Sequence, residues 1–100
     1  MEEFAELIKS ETPVFIEFFA TWCPHCRKMM PIIENLKRKA NDKLIVRQYD
    51  IDQEANRRLV EYYQVQAVPL MMVFKSGEQL WRQNGEMSEQ QLFQTIQRVL

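Results

Sequence analysis

Residues 14–31 read VFIEFFATWCPHCRKMMP, and two different periodicities meet inside them. From Val14 to Ala20 every position but Glu17 is apolar, with three phenylalanines, the pattern of a strand buried on both faces of a parallel or mixed sheet. From Cys23 onward the apolar residues recur at helical spacing. Met29 or Met30, Ile33, Leu36 and Ala40 fall on one face, and Lys37, Arg38 and Lys39 occupy the last turn, where cations suit the helix dipole. Pro31 predicts a kink in that helix. A buried strand thus runs into a helix through a turn that holds both cysteines of the chain, Cys23 and Cys26, and its only histidine, His25.

Working outward, Phe4, Leu7 and Ile8 stand at i, i+3 and i+4 among acidic and basic residues, which predicts an amphipathic helix over 2–10, ended by Thr12 and Pro13. LIVRQYDI, 44–51, reads as the next strand. Asp52 is placed to cap a helix over about 53–63 carrying Ala55, Leu59 and Tyr62 or Tyr63. PLMMVFK, 69–75, is a further strand, turned by Ser76 and Gly77 into an antiparallel partner, EQLWRQN, and Ser88 caps a last helix with Leu92, Phe93, Ile96 and Val99 inward. Met29, Met30, Met71 and Met72 are expected to fill the core. The order helix, strand, helix, strand, helix, strand, strand, helix predicts an α/β domain spanning 1–100, with a mixed four-stranded sheet covered by helices on both faces.

Thirteen basic and fourteen acidic residues, scattered along the chain, leave a net charge of −1. That balance creates no field for nucleic acid or anionic lipid, so neither is expected as a partner. The longest apolar run, 67–74, is far too short to cross a bilayer, and the residues after Met1 have no signal-peptide pattern. A cytoplasmic chain is expected as written, and a periplasmic or exported one if a leader has been removed.

Two cysteines two residues apart close only a tiny loop, so a structural crosslink would stabilise little. They supply half the ligands of a closed zinc site; His25 points away from the sulfurs, and no second CxxC or HxxxH follows. No metal and no cofactor is expected beyond the pair itself. A cysteine at a helix N-terminus has its thiolate stabilised by free backbone N–H groups and the dipole, which suits Cys23 as nucleophile. Cys26, one turn later on the same side, suits a resolving thiol that attacks the mixed disulfide formed at Cys23. Glu17 is the anomaly of its strand: alternation puts it with Phe15 and Phe19, opposite Ile16 and Phe18, so its carboxyl group projects into an apolar layer.

The segments VFIEFFATWCPHCRKMMP, YDID, YYQVQAVP, VFKSGE and NGEMSEQQL, in this order and across nearly the whole chain, resemble the thioredoxin family. The resemblance implies a thioredoxin fold and a thiol-disulfide oxidoreductase. It further implies that Pro69 is a cis proline beside the cysteine pair, that Trp22 shields the nucleophile, and that Glu17 is a buried acid moving a proton for Cys26. Trp22, Pro24, Val68 and Gly85 would then form a shallow apolar groove for substrate.

Three departures stand out. The chain starts inside the first helix, so the family's usual first strand is absent. Pro24-His25 is similar to the dipeptide of bacterial periplasmic disulfide oxidases and marks these two residues as redox-tuning; the His25 ring, cationic or donating to the Cys23 sulfur, would favour the thiolate. Gln48 stands where a lysine usually faces the buried acid, and Leu70 where threonine usually follows the proline. Three readings follow: a monomeric reductase of protein disulfides recharged by a disulfide reductase or other thiol partner, an exported oxidase or isomerase, and a peptide-docking module without turnover.

Overall fold

A computed structural model describes residues 1–100. Its elements are α1 (Glu2–Ile8), β1 (Val14–Phe19), α2 (Pro24–Ala40), β2 (Ile45–Asp50), a single 3-10 turn (Glu54–Asn56) leading into α3 (Arg57–Tyr62), β3 (Leu70–Lys75), β4 (Glu78–Asn84) and α4 (Glu89–Val99). The four strands form one sheet in the order β2-β1-β3-β4, with β1 parallel to β2 and antiparallel to β3, and β4 antiparallel to β3. No helix is long and apolar enough to cross a membrane.

The continuous apolar runs of β1 and β3 are explained by what covers them. Phe15, Met71 and Val73 face Met29, Ile33 and Leu36 of α2 and Leu92 and Ile96 of α4. Val14, Ile16, Phe18, Leu70, Met72 and Phe74 face Phe4 of α1 and Leu59 of α3. Successive side chains of a strand point to opposite faces, so a strand with helices on both sides needs apolar residues at every position. On the α1/α3 side the packing is largely aromatic: the Phe4 ring lies 5.5 Å from Tyr49, 5.4 Å from Tyr63 and 6.1 Å from Phe74, in tilted or edge-to-face geometry.

The hairpin between β3 and β4 turns through Ser76 and Gly77, both at positive φ, the backbone that matches the twist of a two-residue turn. Its two N–H groups donate to the Ser10 and Ile8 carbonyls, which ties the turn to the end of α1. A bulge between Val73 and Phe74 shifts the register of β3 on β4. Ser88 caps α4 as expected: its hydroxyl accepts from the Gln91 N–H, and the Gln91 side chain accepts from the Ser88 N–H.

Four expectations need correction. Met30 is 54% exposed while Met29 is fully buried, so of this adjacent pair Met29 alone joins Met71 and Met72 in the core, on the face shared with Ile33 and Leu36. Asp52 does not cap α3. The chain enters through a 3-10 turn without a side-chain cap, and Asp52 instead accepts from the Trp22 indole. Ala55 is exposed, because that turn delays the helix, while Leu59 and, of the two tyrosines, Tyr63 reach the core. α1 stops at Ile8, two residues early, and the chain bends at Glu11 and Thr12 before β1. Pro31 lies inside α2, which spans Pro24 to Ala40.

The contrast between the two methionines can be measured. Met29→Ala should cost about 3 kcal/mol through lost burial and the cavity left behind. Met30→Ala should stay within about 0.5 kcal/mol. Urea titrations with unchanged slope and shifted midpoint would show this; equal midpoints would refute the assignment of faces.

Candidate active site

β1 delivers the chain through Ala20 and Thr21 to Cys23, which is the N-cap of α2, with Pro24 at the first helical position, where a missing N–H costs nothing. The Cys23 sulfur accepts from the Cys26 backbone N–H at 3.4 Å, and its thiol reaches the Val68 carbonyl at 3.7 Å. Both cysteines are unbonded thiols, buried in a small cluster with Ala20 and flanked by Phe19, Ile51 and Val68. Burial pushes the Cys23 thiol up. The N–H and thiol of Cys26, the N–H of His25 and the Arg27 charge outweigh it, and Cys23 ends below the usual thiol range. Cys26 goes the opposite way: burial raises it, a backbone hydrogen bond at Ala20 opposes, and the nearby Cys23 and Glu17 raise it further. Two like residues are thus separated by their positions in one helical turn.

Beneath them, Glu17 is 1% exposed, in the layer between β1 and α2. Parallel pairing sets Glu17 opposite Gln48 of β2, and the Gln48 amide donates to Glu17 Oε1 at 2.9 Å. The amide oxygen of Gln48 in turn accepts from Lys37 Nζ of α2, also at 2.9 Å. Glu17 Oε2 has no hydrogen-bond partner. Burial raises the Glu17 carboxyl, against the pull of Gln48 and Lys37, to about 7. A cation therefore does stand behind the acid, one amide removed, where the sequence suggested a neutral group alone.

The remaining predicted residues converge on the same end of the sheet. Val68-Pro69 is a cis peptide bond, Pro69 is buried, and its carbonyl accepts from the Gly85 N–H at 2.8 Å. Gly85 has φ +93°, which only glycine adopts readily. Trp22 is 62% exposed and is held by Asp52 at 2.7 Å. Trp22, Cys23, Ile51, Val65, Ala67 and Val68 line a shallow, mostly apolar hollow on one side of the thiol. His25 and Pro24 lie on the surface of the first turn, and the His25 ring is turned to Glu86 Oε1, at 2.5 Å. The ring is not on the Cys23 sulfur, as the dipeptide had suggested.

The family model for thioredoxin matches residues 1–98. The chain belongs to the thioredoxin family. Thioredoxins are thiol-disulfide oxidoreductases that work through a dithiol and need no cofactor. The chain is 39% identical over 98 residues to the chloroplastic thioredoxin Y of Oryza sativa subsp. japonica, which covers 97% of this chain but 57% of that protein. It is 34% identical over 91 residues to thioredoxin 1 of Chlorobaculum tepidum, covering 91% of this chain and 88% of that one. It therefore spans little more than half of the plant relative. Among solved structures, it superposes with TM-score 0.86 and 26% identity on a chain from a study of the thiol-resolving mechanism in yeast mitochondrial 1-Cys peroxiredoxin via glutathione/thioredoxin systems, covering 98% of this chain and 89% of that chain.

Against that thioredoxin frame, three neighbours of the site escaped sequence reasoning: Lys37 behind Gln48, Asp52 on Trp22, and Glu86 on His25. Each lies in a different element from its partner, so no spacing could signal it. Lys37 and Asp52 had been read as an ordinary last-turn cation and an ordinary cap.

The Glu17 environment has a measurable consequence. A carboxyl group raised from 4.5 to about 7 on folding leaves stability intact below the unfolded value and removes it as pH climbs through the folded one. Glu17→Gln should therefore gain on the parent between about pH 4.5 and 7.5, by about 3 kcal/mol in total, and level off above. Chemical unfolding across that range tests it; a difference independent of pH would show that the carboxyl group is not raised.

Proposed function

We propose that this chain is a protein-disulfide reductase of the thioredoxin type, with Cys23 as nucleophile, Cys26 as resolving thiol and Glu17 as the group that moves the Cys26 proton. The observation that carries the reading is the placement of the two thiols: Cys23 caps α2 and accepts the Cys26 N–H, which favours its thiolate, while Cys26 is buried in the first turn near the buried Glu17 carboxyl group, which favours its thiol.

The Cys23 thiolate attacks one sulfur of a substrate disulfide and expels the other as a thiolate, leaving a mixed disulfide. Cys26 then loses its proton to the Glu17 carboxylate and attacks the Cys23 sulfur, releasing the second substrate thiolate. Two electrons have passed to the substrate, and Cys23 and Cys26 are left as a disulfide. A raised carboxyl group near operating pH is matched to that transfer in both directions. The apolar hollow beside Trp22 and Val68 takes the substrate segment, next to Pro69 and the Gly85 N–H that holds its carbonyl. Pro24 and His25 set the stability of the Cys23 thiolate through the first turn of α2. Recharging requires an external dithiol or disulfide reductase, and a reducing compartment suits the role.

The relatives named thioredoxin favour the reductase direction, as does the placement of the His25 ring on Glu86 instead of the sulfur. The Pro24-His25 dipeptide is the one feature favouring an oxidase, and the reduction potential decides between them.

Cys26→Ser should accumulate mixed disulfides with an oxidised protein such as insulin, whereas Cys23→Ser should trap nothing and lose all reductase activity. Equal trapping by both variants would overturn the order of attack, and insulin reduction that survives Cys23→Ser would sink the redox reading in favour of a docking module. Glu17→Gln should slow the resolution step at least about tenfold near neutral pH while initial attack changes little. Coincident pH profiles in stopped-flow measurements would assign the proton to water.

A further inference from the structure

His25 is the one titratable side chain between the two cysteines, and its ring is held by a residue from the opposite end of the chain. Nδ1 lies 2.5 Å from Glu86 Oε1, with Lys28 Nζ of α2 3.9 Å from the same oxygen. Glu86 follows Gly85, whose N–H is bonded to the Pro69 carbonyl, so the carboxylate is anchored by backbone at the rim of the site. The hydrogen bond from His25, and after it the Lys28 charge, hold the Glu86 carboxyl below the usual carboxylate range, and it stays ionised.

An imidazole near a thiolate favours it, as a cation or as a hydrogen-bond donor, and a favoured thiolate means a favoured dithiol and a more oxidising pair. An imidazole bound to a carboxylate does neither well. Its Nδ1 is occupied, and when it carries a proton the adjacent negative charge cancels most of its field at the sulfur.

We infer that Glu86 is a positioning residue: it keeps the His25 imidazole turned away from the Cys23 sulfur, and so keeps the Cys23-Cys26 pair more reducing than a free histidine at position 25 would allow. This rests on the redox reading above. It accounts for a Pro-His dipeptide in a reductase by a residue 61 positions away. The other ionisable groups here are Glu17 beneath Cys26, Lys28 and Arg27 on α2, and Arg98 of α4, which lines the same hollow as Glu86. All four are unaltered in the test.

The test is a double-mutant cycle read by the glutathione equilibrium, in which oxidised glutathione takes two electrons and two protons from the dithiol to give the protein disulfide and two reduced glutathiones. Glu86→Gln should shift this equilibrium about fivefold toward the dithiol, equivalent to about 20 mV. The same substitution in a His25→Ala background should shift it by less than about twofold, since the solvent-exposed Glu86 carboxylate then acts on the thiol only through a screened field. The thiolate absorbance of Cys23 should titrate at lower pH in Glu86→Gln than in the parent, and not in the double variant relative to His25→Ala. Equal shifts in both backgrounds, no shift, or a shift toward the disulfide would each overturn the inference while leaving the reductase reading intact. A parent pair that fails to exchange with glutathione at all would bring down the reductase reading itself.

Discussion

β1 is hydrogen-bonded along both edges and covered by helices on both faces, and the site is built out from it. Its parallel pairing with β2 requires the chain to cross over the sheet, and α2 is that crossover. The end of β1 must therefore turn at once into the start of a helix, where backbone N–H groups are left without partners. Cys23 occupies the position to which those groups point. The antiparallel pairing of β3 on the other edge brings Val68 and Pro69 to the same end of the sheet, and β4 carries Gly85 and Glu86 there in turn.

Around that junction the electrostatics follow from burial and hydrogen-bond direction more than from nearby full charges. The two thiols share one apolar cluster, yet one lies where N–H groups converge and the other inside the first turn above a carboxyl group. Glu17 is tolerated in a fully apolar layer because one oxygen is bonded to Gln48, which is itself oriented by Lys37, and because the neutral acid costs much less to bury than the anion. Glu86 works on the outside of the same turn, in contact with water, where its effect depends on geometry and is weakened by screening.

Much of this was legible in one dimension. An apolar run without alternation identifies β1 as a strand buried on both faces, because burial on two faces leaves no position for a polar side chain except one with a task, and Glu17 is visible for that reason. The Ser88 capping box and the Ser76-Gly77 turn are local devices, complete within four residues, and they appear where expected. The start of α3 was less legible. Asp52 is a good cap by residue type, but its side chain is taken by Trp22, thirty positions earlier, and a long-range partner overrides a local preference of about 1 kcal/mol. Met29 and Met30 could not be separated either, since adjacent residues are equally apolar and only the orientation of α2 on the sheet chooses between them.

The sequence by itself determined the element order, a mixed four-stranded sheet covered on both faces, the placement of Cys23 and Cys26 at a helix start, and membership of the thioredoxin family through motifs spread across the chain. These depend on periodicity, turn chemistry and backbone termini, which act over a few residues and can be read where they occur. Only the tertiary structure decided which groups face the reactive turn from outside it: Lys37 behind Gln48, Asp52 on the indole of Trp22, and Glu86 on the ring of His25. Those contacts join side chains from different elements, and their geometry is set by how helices seat on a twisted sheet, which no spacing along the chain encodes.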